Sequence, residues 1–347
     1  MIDGYCFFMN LNNYLIKMFA PASLNERRLY YREEWSDKDL PDFISQGITK
    51  REFGFDHLGY GPNDRYKTFK GPQALRRFLR YKTPFAAYIS VAFYENPRKR
   101  GGWEKAEYIF DIDAKDLPIR SCGCDSVCEI CLGEALERVN IMLDTLQGDL
   151  GIKNIHLIYS GRGFHIRILD PVMMEADSDL RSEVLKYVAG AVVPKSQYPN
   201  KDVGGKPYNF EHFSIPIAYP RVFTEKVKYN VLHLRGDEQI DGINPRLLKD
   251  LVKNRDFLLN DDWGQFKNSI GPRRYKDMVH AMANVNLATI DAKVTIDLKR
   301  ILRLPSSLHS KVSMKCMEVK NPETFDPFKE AVPKFVYERK DEELPEN

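Results

Sequence analysis

Two aspartates separated by one residue, Asp111 and Asp113, end the run Glu107-Tyr108-Ile109-Phe110-Asp111-Ile112-Asp113. Aromatic and β-branched residues dominate this run, so it predicts a β-strand arriving at two carboxylates. Alternate strand residues share a face, which sets the two acids side by side, roughly 6.6 Å apart at Cα. A strand with one buried face gains nothing from two charges on the same side. The pair therefore predicts a ligand: one divalent cation, or two about 3.5–4 Å apart that clamp an in-line phosphoryl displacement.

The chain has 347 residues, 43% of them hydrophobic, enough for a sizeable core in one large domain or two ordinary ones. Its net charge of +3 is small, so attraction to a polyanion has to come from clustered Lys and Arg. No stretch approaches the ~20 apolar residues of a membrane span. The first 20 residues fail as a signal peptide, because Asn10, Asn12, Asn13 and Lys17 interrupt them. A soluble cytoplasmic protein is expected, its folded part beginning near Met18 and preceded by an extension over 1–22.

Four of the six cysteines, Cys122, Cys124, Cys128 and Cys131, fall in one short segment. In a cytosolic chain that density predicts metal rather than disulfides. Thiolates at this spacing can surround one tetrahedral Zn²⁺ and leave no position open, a structural site.

Element signals are uneven. Ser23 followed by Glu26 is a capping-box pattern that predicts a helix over 23–45. Pro72 to Lys82 predicts a helix with a basic face of Arg76, Arg77, Arg80 and Lys82. Phe85 to Tyr94 predicts one strand. Apolar residues from Ala135 to Leu150 recur at helical spacing and Gly151 ends them. Ile155–Ser160 and Phe164–Leu169 flank Gly161-Arg162-Gly163 and predict a tight hairpin. A helix is expected over 177–190. Residues 194–285 mix prolines, aromatics and charge, and predict an inserted, largely helical subdomain. Lys293-Val294-Thr295-Ile296 predicts a last strand delivering Asp297, with helical turns through Leu298, Ile301 and Leu302. The charged tail 336–347 predicts a loose end.

The hairpin is the second chemical element. Glycines let backbone N–H groups approach an oxyanion, Arg162 offers a fork of donors, and His165 shares a strand face with Arg167. No Gly-Lys-Ser/Thr follows, so it is not a Walker loop. Asp297 is followed by Lys299, Arg300, Arg303, His309 and Lys311. Acids for metal beside bases for phosphate is the charge layout of phosphoryl transfer. Asp297 could equally serve as a helix cap, and the cation clusters as solvated surface.

The segments EYIFDIDAKD (107–116), YSGRGFHIR (159–167), VTIDLKRILRLPSSLHSK (294–311), the four cysteines, Arg51–Phe55 and Asp326–Lys329 resemble the catalytic small subunit of archaeal and eukaryotic DNA primase. The resemblance runs from about residue 26 to 335 and is weak over 194–285. It implies an α/β (α+β) primase catalytic fold: a mixed sheet flanked by helices, formed by 23–193 and 286–335, with a zinc module at 121–132 and the helical insertion. It implies that Asp111, Asp113 and Asp297 hold Mg²⁺ or Mn²⁺. Ser160, Arg162, His165, His309 and Lys311, with Arg65, would contact the incoming triphosphate. It further implies two-metal nucleotidyl transfer from NTPs or dNTPs onto a primer 3′-hydroxyl, a single-stranded DNA template, and a large-subunit partner. The rival readings are a repair-type polymerase that only extends primers, a two-metal nuclease, and a non-catalytic zinc module that binds nucleic acid.

Overall fold

The computed structural model describes residues 20–194 and 217–341. The extension before residue 20, much of the run 194–217 and the last residues of the tail lie outside them.

The expected first helix is broken. Ser23 and Glu26 do form their capping box at the start of α1 (Leu24–Leu29). Tyr30–Glu34 then widens to a π-turn, Asp37–Asp39 is a 3₁₀ turn, and α2 covers Asp42–Gln46. Trp35 and Pro41 stand at the breaks; Trp35 is buried, its indole N–H donating to the Ser306 hydroxyl at 2.8 Å. Strands β1 (Phe53–Asp56) and β2 (Asp64–Lys67) follow. Helix α3 occupies Pro72–Lys82, as its sequence predicts.

The single strand expected over 85–94 is two: β3 (Ala86–Ser90) and β4 (Ala92–Asn96). The chain turns at Val91, where the Ser90 hydroxyl donates to Ala92 O at 2.7 Å, and the two strands join different sheets. After β5 (Gly101–Ala106) comes the acid strand, β6 (Tyr108–Asp113). Helix α4 (Glu129–Asp144) begins at the cysteines and leads to the hairpin β7 (Ile155–Tyr159) and β8 (Gly163–Ile168), then α5 (Ser178–Ala189).

Helices α6 (Ala218–Leu232), α7 (Pro245–Asn254), α8 (Trp263–Ile270) and α9 (Pro272–Ala288) gather around their own apolar cluster, which includes Phe223, Leu251, Phe266 and Met282. Ile119, just before the cysteine segment, is buried in that cluster as well.

Residues 293–296, expected as a strand, lie in a short helix, α10 (Ala292–Ile296). Asp291 decides this: its carboxylate accepts from the N–H groups of Lys293 (3.0 Å) and Val294 (3.4 Å), and this cap outweighs the β-branched side chains. The helical turns expected next are instead β9 (Ile301–Arg303), captured by pairing with β3. After β10 (Met317–Val319), α11 (Lys334–Asp341) ends the described chain. The start of the expected loose tail is therefore packed: Val336 is buried and Arg339 pairs with Glu26.

Two four-stranded sheets, β2-β1-β3-β9 and β10-β7-β8-β6, and the ribbon β4-β5 carry the fold. Every pairing among the described residues is antiparallel. On β6, Tyr108, Phe110 and Ile112 point into the main core. Burying such a side chain is worth about 1.5–3 kcal/mol, so three of them hold the strand's register firmly. The opposite face is left to Ile109, Asp111 and Asp113.

Candidate active site and metal centre

The register of β6 on β8 pairs Asp111 with His165 and Asp113 with Gly163. Directly opposite residues share a face. His165 is accordingly buried beside Asp111, its Nε2 3.4 Å from the carboxylate, while its Nδ1 has no hydrogen-bond partner. Arg162, in the hairpin turn, ion-pairs with Asp113. Ser160 closes the same turn through its N–H to Gly163 O at 2.9 Å. Gly163 cannot carry a side chain, because a Cβ there would collide with the backbone of Ile112 and Asp113. Gly161 (φ 106°) serves a second close approach: its missing Cβ is the space filled by the His309 side chain.

His309 thus belongs to the hairpin site although it comes from the loop after β9. Its pKa lies well below the usual histidine value, because it is buried and faces Arg303, Arg162, Lys311 and His165. The ring is neutral near pH 7. Its Nδ1 accepts the Lys311 N–H at 3.1 Å, which assigns the proton to Nε2 as an available donor.

Asp297 caps the C-terminal end of α10 rather than ending a strand, and its carboxylate accepts the Lys299 N–H at 2.9 Å. Helix α10 nevertheless crosses the acid face of β6. Val294 and Ile109 share one apolar cluster, and the Asp291 N–H donates to Asp111 O at 3.0 Å. Asp111, Asp113 and Asp297 do not draw together within 4.8 Å; among the described residues the four cysteines form such a group.

Sequence reading named Arg65 but missed Glu52, the carboxylate that holds it together with Arg100. This buried carboxylate accepts from Arg65 Nε at 2.8 Å and from Arg100 Nε at 2.7 Å. Both guanidinium groups lie against the Tyr66 ring, 5.6 and 5.2 Å from its centre. Tyr66 holds φ at 61°, an uncommon conformation for a non-glycine residue. Burial pushes the neighbouring Tyr94 hydroxyl pKa upward, with Arg100, Glu52, Asp297 and Arg65 all in its surroundings. Arg-Glu-Phe-Gly-Phe alone offers no signal for this, since Glu52 meets Arg65 and Arg100 only through the turns on either side. Behind the acids, Glu107 pairs with Arg51, and Arg167 Nε lies 3.4 Å away, all three fully buried.

The cysteines form the expected closed cluster. Their sulfurs stand 3.5 Å (Cys122–Cys124), 3.8 Å (Cys124–Cys131) and 3.9 Å (Cys128–Cys131) apart. A tetrahedral Zn²⁺ with ~2.3 Å bonds sets its sulfurs about 3.8 Å apart, so the set fits that ion. Arg235 ties the loop to the helical layer by donating to Cys122 O at 3.3 Å.

The family profile described as "DNA primase small subunit" matches residues 110–320, from the acid strand to just beyond β10. The chain is 70% identical to the DNA primase small subunit PriS of Methanobrevibacter smithii over 93% of its own length and 99% of that protein's. This chain belongs to the DNA primase small-subunit family. The corresponding protein of Methanothermobacter thermautotrophicus is 58% identical, over 94% of this chain and 100% of its own length. That of Thermococcus kodakarensis is 40% identical, over 92% and 94%. The primase profile thus spans the acid strand, the cysteines, the hairpin, Asp297 and His309. Glu52 and Arg65 lie before it, within the longer stretches shared with the relatives. No helix among the described residues is long and apolar enough to cross a membrane.

Proposed function

We propose that the chain is the catalytic subunit of a DNA primase, a nucleotidyltransferase that builds primers from NTPs on single-stranded DNA beside a large-subunit partner. The observation that carries this reading is the shared face of β6 and β8, where Asp111 and Asp113 meet His165, Arg162 and, across Gly161, His309. Hard carboxylate oxygens suit Mg²⁺ or Mn²⁺, and Asp111, Asp113 and Asp297 are the residues that would hold them. Bound there, such cations supply a lowered hydroxyl pKa and charge neutralisation at the departing pyrophosphate.

The chain's own groups bind and orient the triphosphate. Arg162 presents a planar fork suited to phosphate. In this reading the incoming nucleotide competes with Asp113 for Arg162, so nucleotide arrival frees that carboxylate for metal. His309 donates through Nε2–H without adding charge, and Lys311 and His165 complete the cradle with Ser160. Arg65, clamped by Glu52, is a further candidate contact to the triphosphate. The primer 3′-hydroxyl attacks the α-phosphate, a bond forms to that phosphorus, and pyrophosphate leaves. Positioning and charge stabilisation supply most of the acceleration, and no covalent nucleophile is required. The template is held mainly through phosphates, giving salt-dependent, sequence-tolerant binding. Residues 23–193 with 286–335 form the catalytic part in this reading, and 194–285 the insertion.

Incorporation of labelled NTPs and dNTPs on unprimed single-stranded DNA, with the large subunit present and with Mg²⁺ or Mn²⁺, tests the assignment. New primers dependent on Asp111 are the expected result. Extension only of pre-formed primers would replace it with a repair-type polymerase, and degradation without incorporation with a nuclease.

A further inference from the structure

Away from the acids, a small cavity lies in the seam between α4 and α5 on one side and α6 and α9 on the other. Its volume is about 20 Å³, and Arg138, Lys226, Tyr229, Asn230, Asn286 and Thr289 supply its polar lining. That is room for one species little larger than water and too little for a phosphate. Two of the lining groups are cations. Lys226 is 9% exposed and Arg138 is 4% exposed.

Neither cation has an ion-pair partner among the described residues, although Glu134 and Glu137 stand near enough to Arg138 to favour its charge. Arg138 spends its donors on neutral acceptors: Ile119 O at 3.0 Å, Glu134 O at 3.3 Å and the Tyr229 hydroxyl at 3.3 Å, with the Tyr229 ring 4.5 Å from its guanidinium carbon. Lys226 makes no hydrogen bond or ion pair among the described residues. The surrounding acids make their hydrogen bonds and ion pairs to other groups, and Glu134 Oε2 is left without a hydrogen-bond partner. Glu134 accepts the Ser121 N–H at 2.8 Å, Glu137 the Tyr229 hydroxyl at 2.7 Å, and Glu225 pairs with Arg221 at 2.8 Å. No carboxylate lines the cavity among the described residues.

A buried ammonium without a partner has two remedies: it sheds its proton or it recruits an anion. Burial, aided by Arg138, lowers the Lys226 pKa to about 7, so at neutral pH the amine is poised between them. A second full cation in the wall and a cavity of the right size favour recruitment. We propose that this seam binds one monatomic anion of the halide class between Lys226 and Arg138, pinning the helical layer to the helix that carries Cys131. Asn286 already bridges the same seam, accepting from Asn230 at 2.7 Å and donating to Gly190 O at 2.8 Å, so the ion completes a polar lock whose neutral half is built. The site is independent of the catalytic chemistry proposed above.

The test is thermal unfolding of the full chain in sodium chloride, bromide and gluconate at equal ionic strength, with anomalous scattering from bromide-soaked crystals. The expected Tm is about 2–4 °C higher in either halide than in gluconate. Lys226→Met removes that difference, and a bromide peak stands between residues 138 and 226. Equal Tm values in the three salts, with no bromide peak at the seam, overturn the proposal. Should Lys226→Met fail to fold, the wild-type salt series and the bromide map decide on their own.

Discussion

The thiols of residues 122–131 come from one loop and the first turn of α4 and stand 3.5–3.9 Å apart. The aspartates come from β6 and from the end of α10, far along the chain, and do not gather within 4.8 Å. One donor set is closed in advance. The other is held open, with Asp113 paired to Arg162 and Asp111 beside His165. The difference fits the roles proposed for them: a structural ion gains from complete ligation, whereas a catalytic one needs room for substrate oxygens. Local spacing suffices for the first arrangement, while the second needs the packing of α10 on β6.

The largest expected effect breaks the closed site. Structural zinc carries an apparent binding free energy of order 10–16 kcal/mol, so Cys131→Ser should release the metal and unravel residues 121–132. Metal analysis and amide exchange along the start of α4 check this; retained zinc with unchanged protection would refute it. At the open site, Asp111→Ala should lower nucleotide addition about 10³-fold, or ~4 kcal/mol, with zinc content and Tm unchanged. Parallel activity and metal assays on that variant check whether the two sites are separable. Should zinc leave with Asp111, they are not.

A smaller effect is expected at the clamp. Glu52→Gln loosens Arg65 and Arg100, and nucleotide KM should rise about tenfold with kcat less affected, a loss of ~1.4 kcal/mol. An equal fall in kcat and kcat/KM would assign Glu52 to the transition state instead. The smallest effect is a pH dependence. His309 titrates well below its unfolded value, so below about pH 6.5 the unfolded chain binds a proton that the folded chain refuses. Stability is therefore full above pH 6.5 and falls on acidification, by at most ~1.4 kcal/mol per pH unit from this group. Urea midpoints between pH 5 and 7, steeper for wild type than for His309→Gln, check it.

Where the chain is legible from sequence, the cause is local. The capping box at Ser23, the proline-started helix α3, the glycine hairpin and the cysteine spacing each depend on neighbours a few residues away, and the structure keeps all four. Misreadings arise where distant partners decide. Lys-Val-Thr-Ile has strand propensity, yet Asp291 caps it into α10. Residues 301–303 follow a helical signal, yet β3 takes them as a strand. The run 85–94 reads as continuous but serves two sheets. The same logic explains why the hairpin half of the candidate site was visible, while of the Glu52 half only Arg65 was named, through the resemblance. Arg162 and His165 sit in one hairpin, whereas Glu52, Arg65 and Arg100 converge from three separate segments.

The buried side of β6 has a consequence for evolution. Because strand side chains alternate, a slip of one position against β8 would turn both acids inward and send Tyr108, Phe110 and Ile112 into water. The placement of the two carboxylates is thus guarded by apolar residues that never meet a substrate. Substitutions at Phe110 or Ile112 that spare folding but relax that alignment should read out as lost chemistry.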